Sequence, residues 1–140
     1  MRDKKNYVLG FAFSEDKESV LLIEKLKPEW QAGLLNGIGG KVEGSEHPLA
    51  AMIREFKEEC GISTDVHHWK QFLEMNGRFG TVYCYFAFMD ISGANTMEDE
   101  EVVEAQVERI SYLETISNLP WLIGMALDPD NFTAKVKYDQ

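Results

Sequence analysis

GKVEGSEHPLAAMIREFKEECGI, residues Gly40 to Ile62, carries more chemistry per residue than any other part of this 140-residue chain. Its last nine residues, REFKEECGI, place Glu55, Glu58 and Glu59 at spacings of three and four, which a helix gathers on one face. Pro48 suits the first turn of that helix and Gly61 its C-terminal stop, while Leu49, Met52, Ile53, Phe56 and Cys60 fall on an apolar stripe. The acids therefore lie off the face that packs inward. Like charges so spaced repel by roughly a few tenths of a kcal/mol per pair, so folding alone gives no reason to cluster them. A divalent cation does. Mg²⁺, Mn²⁺ and Ca²⁺ are hard ions that prefer oxygen, and Mg²⁺ usually keeps some water and shares the phosphate oxygens of a substrate.

The remainder of the composition is consistent with such a site. At 140 residues with 44% hydrophobic content, the chain is expected to form a single domain over residues 1–140 with a substantial core. A formal charge of −10 argues against broad binding to DNA or RNA, which relies on Lys and Arg to neutralise phosphates. A phosphate-bearing substrate would need a metal to bridge it to this surface. No apolar run is long enough for a bilayer span, and MRDKKNYVLGFAF lacks a clean signal-peptide core. The expected location is the cytoplasm, with no membrane partner. Cys60 and Cys84 make neither a disulfide framework nor a zinc site, and read as small buried side chains.

Taken in order, Tyr7–Phe13 and Val20–Glu24 read as strands consistent with a hairpin, and Lys25–Leu35 as a loop bearing Pro28, Trp30 and Gly33. NGIGGKVEGSE follows, with four glycines in eleven residues; it allows close backbone approach to a ligand just ahead of the acid helix. His67–Glu74 and Thr81–Asp90 read as strands joined through MNGRFG. His67 and His68 would then point to opposite faces and could not chelate one ion together. SGANTMEDEEVVE, from Ser92 to Glu104, reads as a turn and acid cluster, either a solvated segment or the source of one further acid for the metal site. Val107–Ser111 is a short strand candidate, and Asn118 is placed to cap a helix from Leu119 to Leu127. FTAKVKY reads as a last strand or extended tail.

The stretch quoted first resembles the Nudix box: Gly, five residues, Glu, seven residues, Arg-Glu, an apolar residue, any residue, Glu-Glu, any residue, Gly, aliphatic. Gly40, Glu46, Arg54, Glu55, Phe56, Glu58, Glu59, Gly61 and Ile62 meet every position. The resemblance implies an α/β fold in which a mixed β-sheet lies between α-helices, and a MutT-like pyrophosphohydrolase using Mg²⁺, with Mn²⁺ as the alternative. It makes Glu55, Glu58 and Glu59 the metal ligands, joined by the Gly40 carbonyl, with Arg54 holding Glu58 and Glu46 supporting the loop. The catalytic base it implies is a box glutamate or one from a later loop, here Glu59 or Glu104, with Glu101 as an alternative.

Substrates of the family are nucleoside diphosphates linked to another group. LLNGIGGKVEGSE is similar to the WNGFGGKV segment of members that act on purine nucleoside triphosphates, oxidised ones included. Asn36 takes the place of a base-contacting asparagine there, and Leu35 stands where those members have tryptophan. Trp121 is a candidate for stacking on the base. The expected activity is hydrolysis of a (d)NTP to monophosphate and pyrophosphate. The alternatives are an ADP-sugar or dinucleotide pyrophosphatase and a catalytically silent nucleotide sensor. Homodimers are common in the family.

Overall fold

YVLGFAF and VLLIE form the strands around which the sheet grows. The computed structural model describes residues 4–130 and 133–138. In it β1 (Lys5–Phe13) runs parallel to β6 (Gly80–Phe88) along its whole length, from Lys5 opposite Gly80 to Phe13 opposite Phe88. The other edge of β1 is divided. Tyr7 to Gly10 pair with β4 (Ile38–Lys41), and Phe13 pairs with Val20 of β2 (Ser19–Glu24). β2 is flanked in turn by β3 (Leu35–Asn36) and β7 (Val102–Gln106). On the far side, β5 (Lys70–Gly77) is antiparallel to β6 and parallel to β8 (Ala134–Lys137).

Side chains alternate across β1 and β2, and both faces of the sheet are covered. Val8, Ala12, Leu21 and Ile23 point to α1 (Pro48–Cys60) and pack with Met52 and Phe56. Phe11, Phe13, Val20 and Leu22 point the other way, to Leu119, Leu122 and Ile123 of α2 (Leu119–Ala126). Strands buried on both faces read as nearly continuous apolar runs, as YVLGFAF does. The architecture is the expected one, a mixed sheet between helices. Cys60 and Cys84 are free and buried. Among the described residues no helix is long and apolar enough to cross a membrane.

Three expectations are corrected. His67 and His68 precede β5 and lie in a turn where the Asp65 carboxylate accepts from His67 N–H at 2.9 Å, so strand alternation does not govern them. Val107 to Tyr112 form a 3-10 turn, and the strand lies one step earlier, at Val102–Gln106. The backbone emerging from the acid cluster fills the open edge of β2, with Ala105 buried and Glu104 exposed. Asn118 precedes α2 but makes no capping bond with its side chain. Of FTAKVKY, Phe132 lies outside the described residues.

Candidate functional site

α1 begins and ends at defined points, which sets its acids against β4. His47 Nδ1 accepts from Leu49 N–H at 3.1 Å, and Pro48 occupies the first turn. Gly61 takes the left-handed conformation (φ 84°) and donates its N–H to Lys57 O, a closure that costs glycine little. Ala51, Met52, Phe56 and Cys60 are buried beneath the helix. Phe56 meets the Trp69 ring edge-on with centroids 5.0 Å apart.

Arg54 is the hub of the exposed face. Its Nε and Nη2 bind both oxygens of Glu46 at 2.9 Å, Nη1 donates to Glu55 at 2.9 Å and to Glu58 at 3.4 Å, and Nη2 also reaches Lys41 O at 3.1 Å. The two-pronged pair with Glu46 is the tightest of these, so Arg54 ties the loop to the helix first and holds Glu58 second. The Arg54 hydrogen bonds hold the Glu46 carboxyl below its ordinary value.

Gly40 lies beneath Glu55. A Cβ at Gly40 would come within 2.5 and 2.6 Å of the two Glu55 carboxylate oxygens, so only glycine lets the carboxylate settle on the β4 backbone. Burial raises the Glu55 pKa, Arg54 opposes the rise, and Glu58 and Glu43 add to it. Glu59 is the more perturbed acid. Burial first, then the charges of Glu55, Glu100 and Glu98, with Lys25 opposing, push it up to about 7. Its Oε2 is buried with no hydrogen-bond partner.

The acid cluster supplies that additional charge. Asn95 N–H donates to Cys60 O at 2.9 Å and Met97 N–H to Glu59 O at 3.1 Å, so the loop is fastened to the C-terminal end of α1. Glu98 and Glu100 thereby come close enough to Glu59 for their charges to act on it. Glu104 sits on β7 opposite Leu21, in a shallow hollow with Glu24, Arg109 and Glu114.

Among the described residues no three His, Cys, Asp or Glu side chains form a ready-made chelating cluster; Arg54 engages Glu55 and Glu58. The donors nevertheless suit a divalent cation. A buried carboxylate oxygen without a partner, on an acid pushed up to about 7 by burial and then by neighbouring carboxylates, is the kind of group a hard cation satisfies.

Gly40, on which Glu55 rests, and Lys41, whose carbonyl accepts from Arg54, also line a cleft of about 600 Å³. Tyr7, Trp30, Asn36, Arg78, Phe79 and Asn118 contribute to its wall. Asn36 Oδ1 accepts from Gly37 N–H at 2.8 Å. Asn118 is only 6% exposed, and its amide has Met75 Sδ at 3.9 Å as its partner. Trp121 is half-exposed and lies beside Tyr138, with ring centroids 6.2 Å apart; Tyr138 is itself a cleft residue. Asn118 was legible in the sequence only as a cap. Trp30, Arg78 and Phe79 lie on loops and turns whose sequences carry no period to mark them.

The profile of the NUDIX domain matches residues 4–126. Comparison with curated proteins gives no match. A MutT structure described for Aliivibrio salmonicida and Vibrio cholerae superposes with a TM-score of 0.75 at 19% identity, covering 89% of this chain and 98% of its own. The NUDIX domain of Shewanella oneidensis NrtR, complexed with ADP ribose, gives 0.75 at 17% identity over 90% of this chain and 88% of its own. The MutT protein of Bacillus halodurans gives 0.73 at 18% identity over 96% and 90%. At these identities the structural likenesses establish the fold.

Proposed function

This chain belongs to the Nudix family, and from that membership we propose that it is a metal-dependent pyrophosphohydrolase whose substrate is a (d)NTP, oxidised purine nucleotides included, cleaved to monophosphate and pyrophosphate. The observation that carries the reading is the partnerless, buried Glu59 oxygen on a helix packed against β4, whose Gly40 and Lys41 line a cleft that also holds the amides of Asn36 and Asn118. Glu55, Glu58, Glu59 and the Gly40 carbonyl would hold Mg²⁺, with Mn²⁺ as a substitute. When bound, the ion offsets charge on the phosphate oxygens and lowers the pKa of an attacking water.

The chain's own residues do the rest. Arg54 fixes Glu46, Glu55 and Glu58 in one frame, a supporting role of the kind that commonly changes metal affinity or activity by about 10–100-fold. Glu59 is the proposed base from within the box, because its buried Oε2 has no hydrogen-bond partner in the fold and is free to accept a proton. Glu104 is the candidate from outside the box. In the cleft, Asn36 is proposed to contact the base; Trp121, outside the wall, is proposed to back Tyr138 at the cleft's edge.

A second reading is an ADP-sugar or dinucleotide pyrophosphatase, which the ADP ribose held by the NrtR domain favours. A nucleotide sensor without activity is a third. We place the activity in the cytoplasm and allow for a homodimer. The test is product analysis over a nucleotide panel with Mg²⁺, comparing wild type with Glu58→Gln. Equal turnover by the two would dismiss the site assignment, and the bond cleaved separates the first reading from the second. Nucleotide-induced thermal stabilisation without product would support the third.

A further inference from the structure

Trp30 is the most exposed aromatic residue of the cleft wall, at 57%, and nothing in the fold explains it. It belongs to a 3-10 turn, Glu29–Gln31, none of whose residues is buried. Core packing therefore does not hold it. The loop that carries it is closed at its neck by Lys25 N–H to Leu34 O at 2.9 Å and Gly33 N–H to Lys25 O at 2.8 Å. Trp69 is buried and Trp121 lies outside the cleft wall, so Trp30 is the tryptophan this cleft presents.

The same loop is gripped from the acid cluster. Glu100 Oε1 lies 2.9 Å from Lys25 Nζ, and Oε2 accepts from Leu26 N–H at 2.6 Å and from Lys27 N–H at 3.3 Å. Its side chain is only 15% exposed. Both oxygens of Glu100 are occupied, and its own loop is fastened to α1 through Cys60 O and Glu59 O. One side chain thus links the acid helix to the segment bearing Trp30.

We infer that Trp30 is the face on which the nucleobase stacks, and that Glu100 is a positioning residue that orders the Trp30 loop against the acid helix. This rests on the nucleotide reading above. Stacking suits any base, so Trp30 contributes affinity and the amides of the cleft choose between bases.

The probe is dGMP with Mg²⁺, which has no phosphoanhydride to cleave and so reads binding alone. Wild type should bind it by calorimetry with quenching of tryptophan fluorescence. Trp30→Phe should keep the affinity within about threefold and lose most of the quench, whereas Trp30→Ala should weaken binding about tenfold or more, the size of a base-aromatic stack. Glu100→Ala should weaken dGMP binding and raise KM for dGTP about tenfold while kcat stays within about twofold. Glu100→Gln, which keeps an oxygen for Leu26 N–H, should recover most of that loss. Unchanged dGMP affinity in Trp30→Ala would overturn the stacking face. A fall in kcat for Glu100→Ala with dGMP affinity unchanged would overturn the positioning role, because Glu100 would then act through its charge on Glu59 and not through the Trp30 loop. Wild type that turns over dGTP but shows no Trp30-dependent quench sinks this inference and spares the hydrolase reading; quench without turnover of any nucleotide does the reverse.

Discussion

Replacing Glu59 by glutamine should stabilise the metal-free protein, even though it removes a proposed ligand and base. Glu59 is pushed from an ordinary 4.5 up to about 7, first by burial and then by the charges of Glu55, Glu100 and Glu98. The folded chain holds this proton more tightly than the unfolded one, so ionising Glu59 works against folding. The cost is nearly absent below 4.5, grows as pH rises from 4.5 to about 7, and is complete above that. At about 1.4 kcal/mol per pH unit it amounts to at most about 3.5 kcal/mol, and water reaching the half-buried carboxylate reduces it to about 1–2 kcal/mol. Urea denaturation in EDTA at pH 8.5 should show Glu59→Gln more stable than wild type by about 1–2 kcal/mol, narrowing to a few tenths near pH 4.5. Adding Mg²⁺ or Mn²⁺ should raise the melting temperature of wild type and leave the variant nearly unmoved. A variant no more stable than wild type at pH 8.5 in EDTA would refute the claim that the Glu59 carboxylate is held under electrostatic and desolvation stress.

Other substitutions test the rest of the site. Glu58→Gln should lower kcat/KM with Mg²⁺ by about 100-fold or more, while circular dichroism stays as in wild type. Arg54→Ala leaves Glu46, Glu55 and Glu58 without their shared cation and should cost about 2 kcal/mol in denaturant titration, part of it recovered by Mg²⁺. Gly40→Ala drives a methyl group into Glu55 and should cut metal-dependent turnover about 10–100-fold, read as kcat/KM at fixed Mg²⁺. Glu104→Gln should leave kcat within about twofold if Glu59 alone is the base; a loss of tenfold or more would move that role to β7.

The apolar stripe and the acids of α1 were legible because they share 13 consecutive residues, where helical geometry alone fixes which side chains share a face. The strand pair Tyr7–Phe13 and Val20–Glu24 was legible for a similar reason, since its hydrophobic runs are local. Where placement depends on distant segments, the sequence carries no signal for it. Glu98, Asp99, Glu100, Glu101 and Glu104 all lie in or beside one acid cluster, and only the tether to Cys60 O and Glu59 O brings Glu98 and Glu100 to α1. Val102–Gln106 was missed as a strand because its pairing comes from the open edge of β2, some eighty residues earlier in the chain.

The chain alone determined the family, the acid helix and the glycine loop before it, because spacing along 23 residues from Gly40 to Ile62 places those groups by covalent geometry. Tertiary structure alone decided that Arg54 binds Glu46 before Glu58, that Glu59 keeps an oxygen without a partner, and that Glu100 grips the loop of Trp30. Each of those depends on which distant segment lies within a few ångströms, and burial, charge and hydrogen bonding act over such distances through space whatever the separation in sequence.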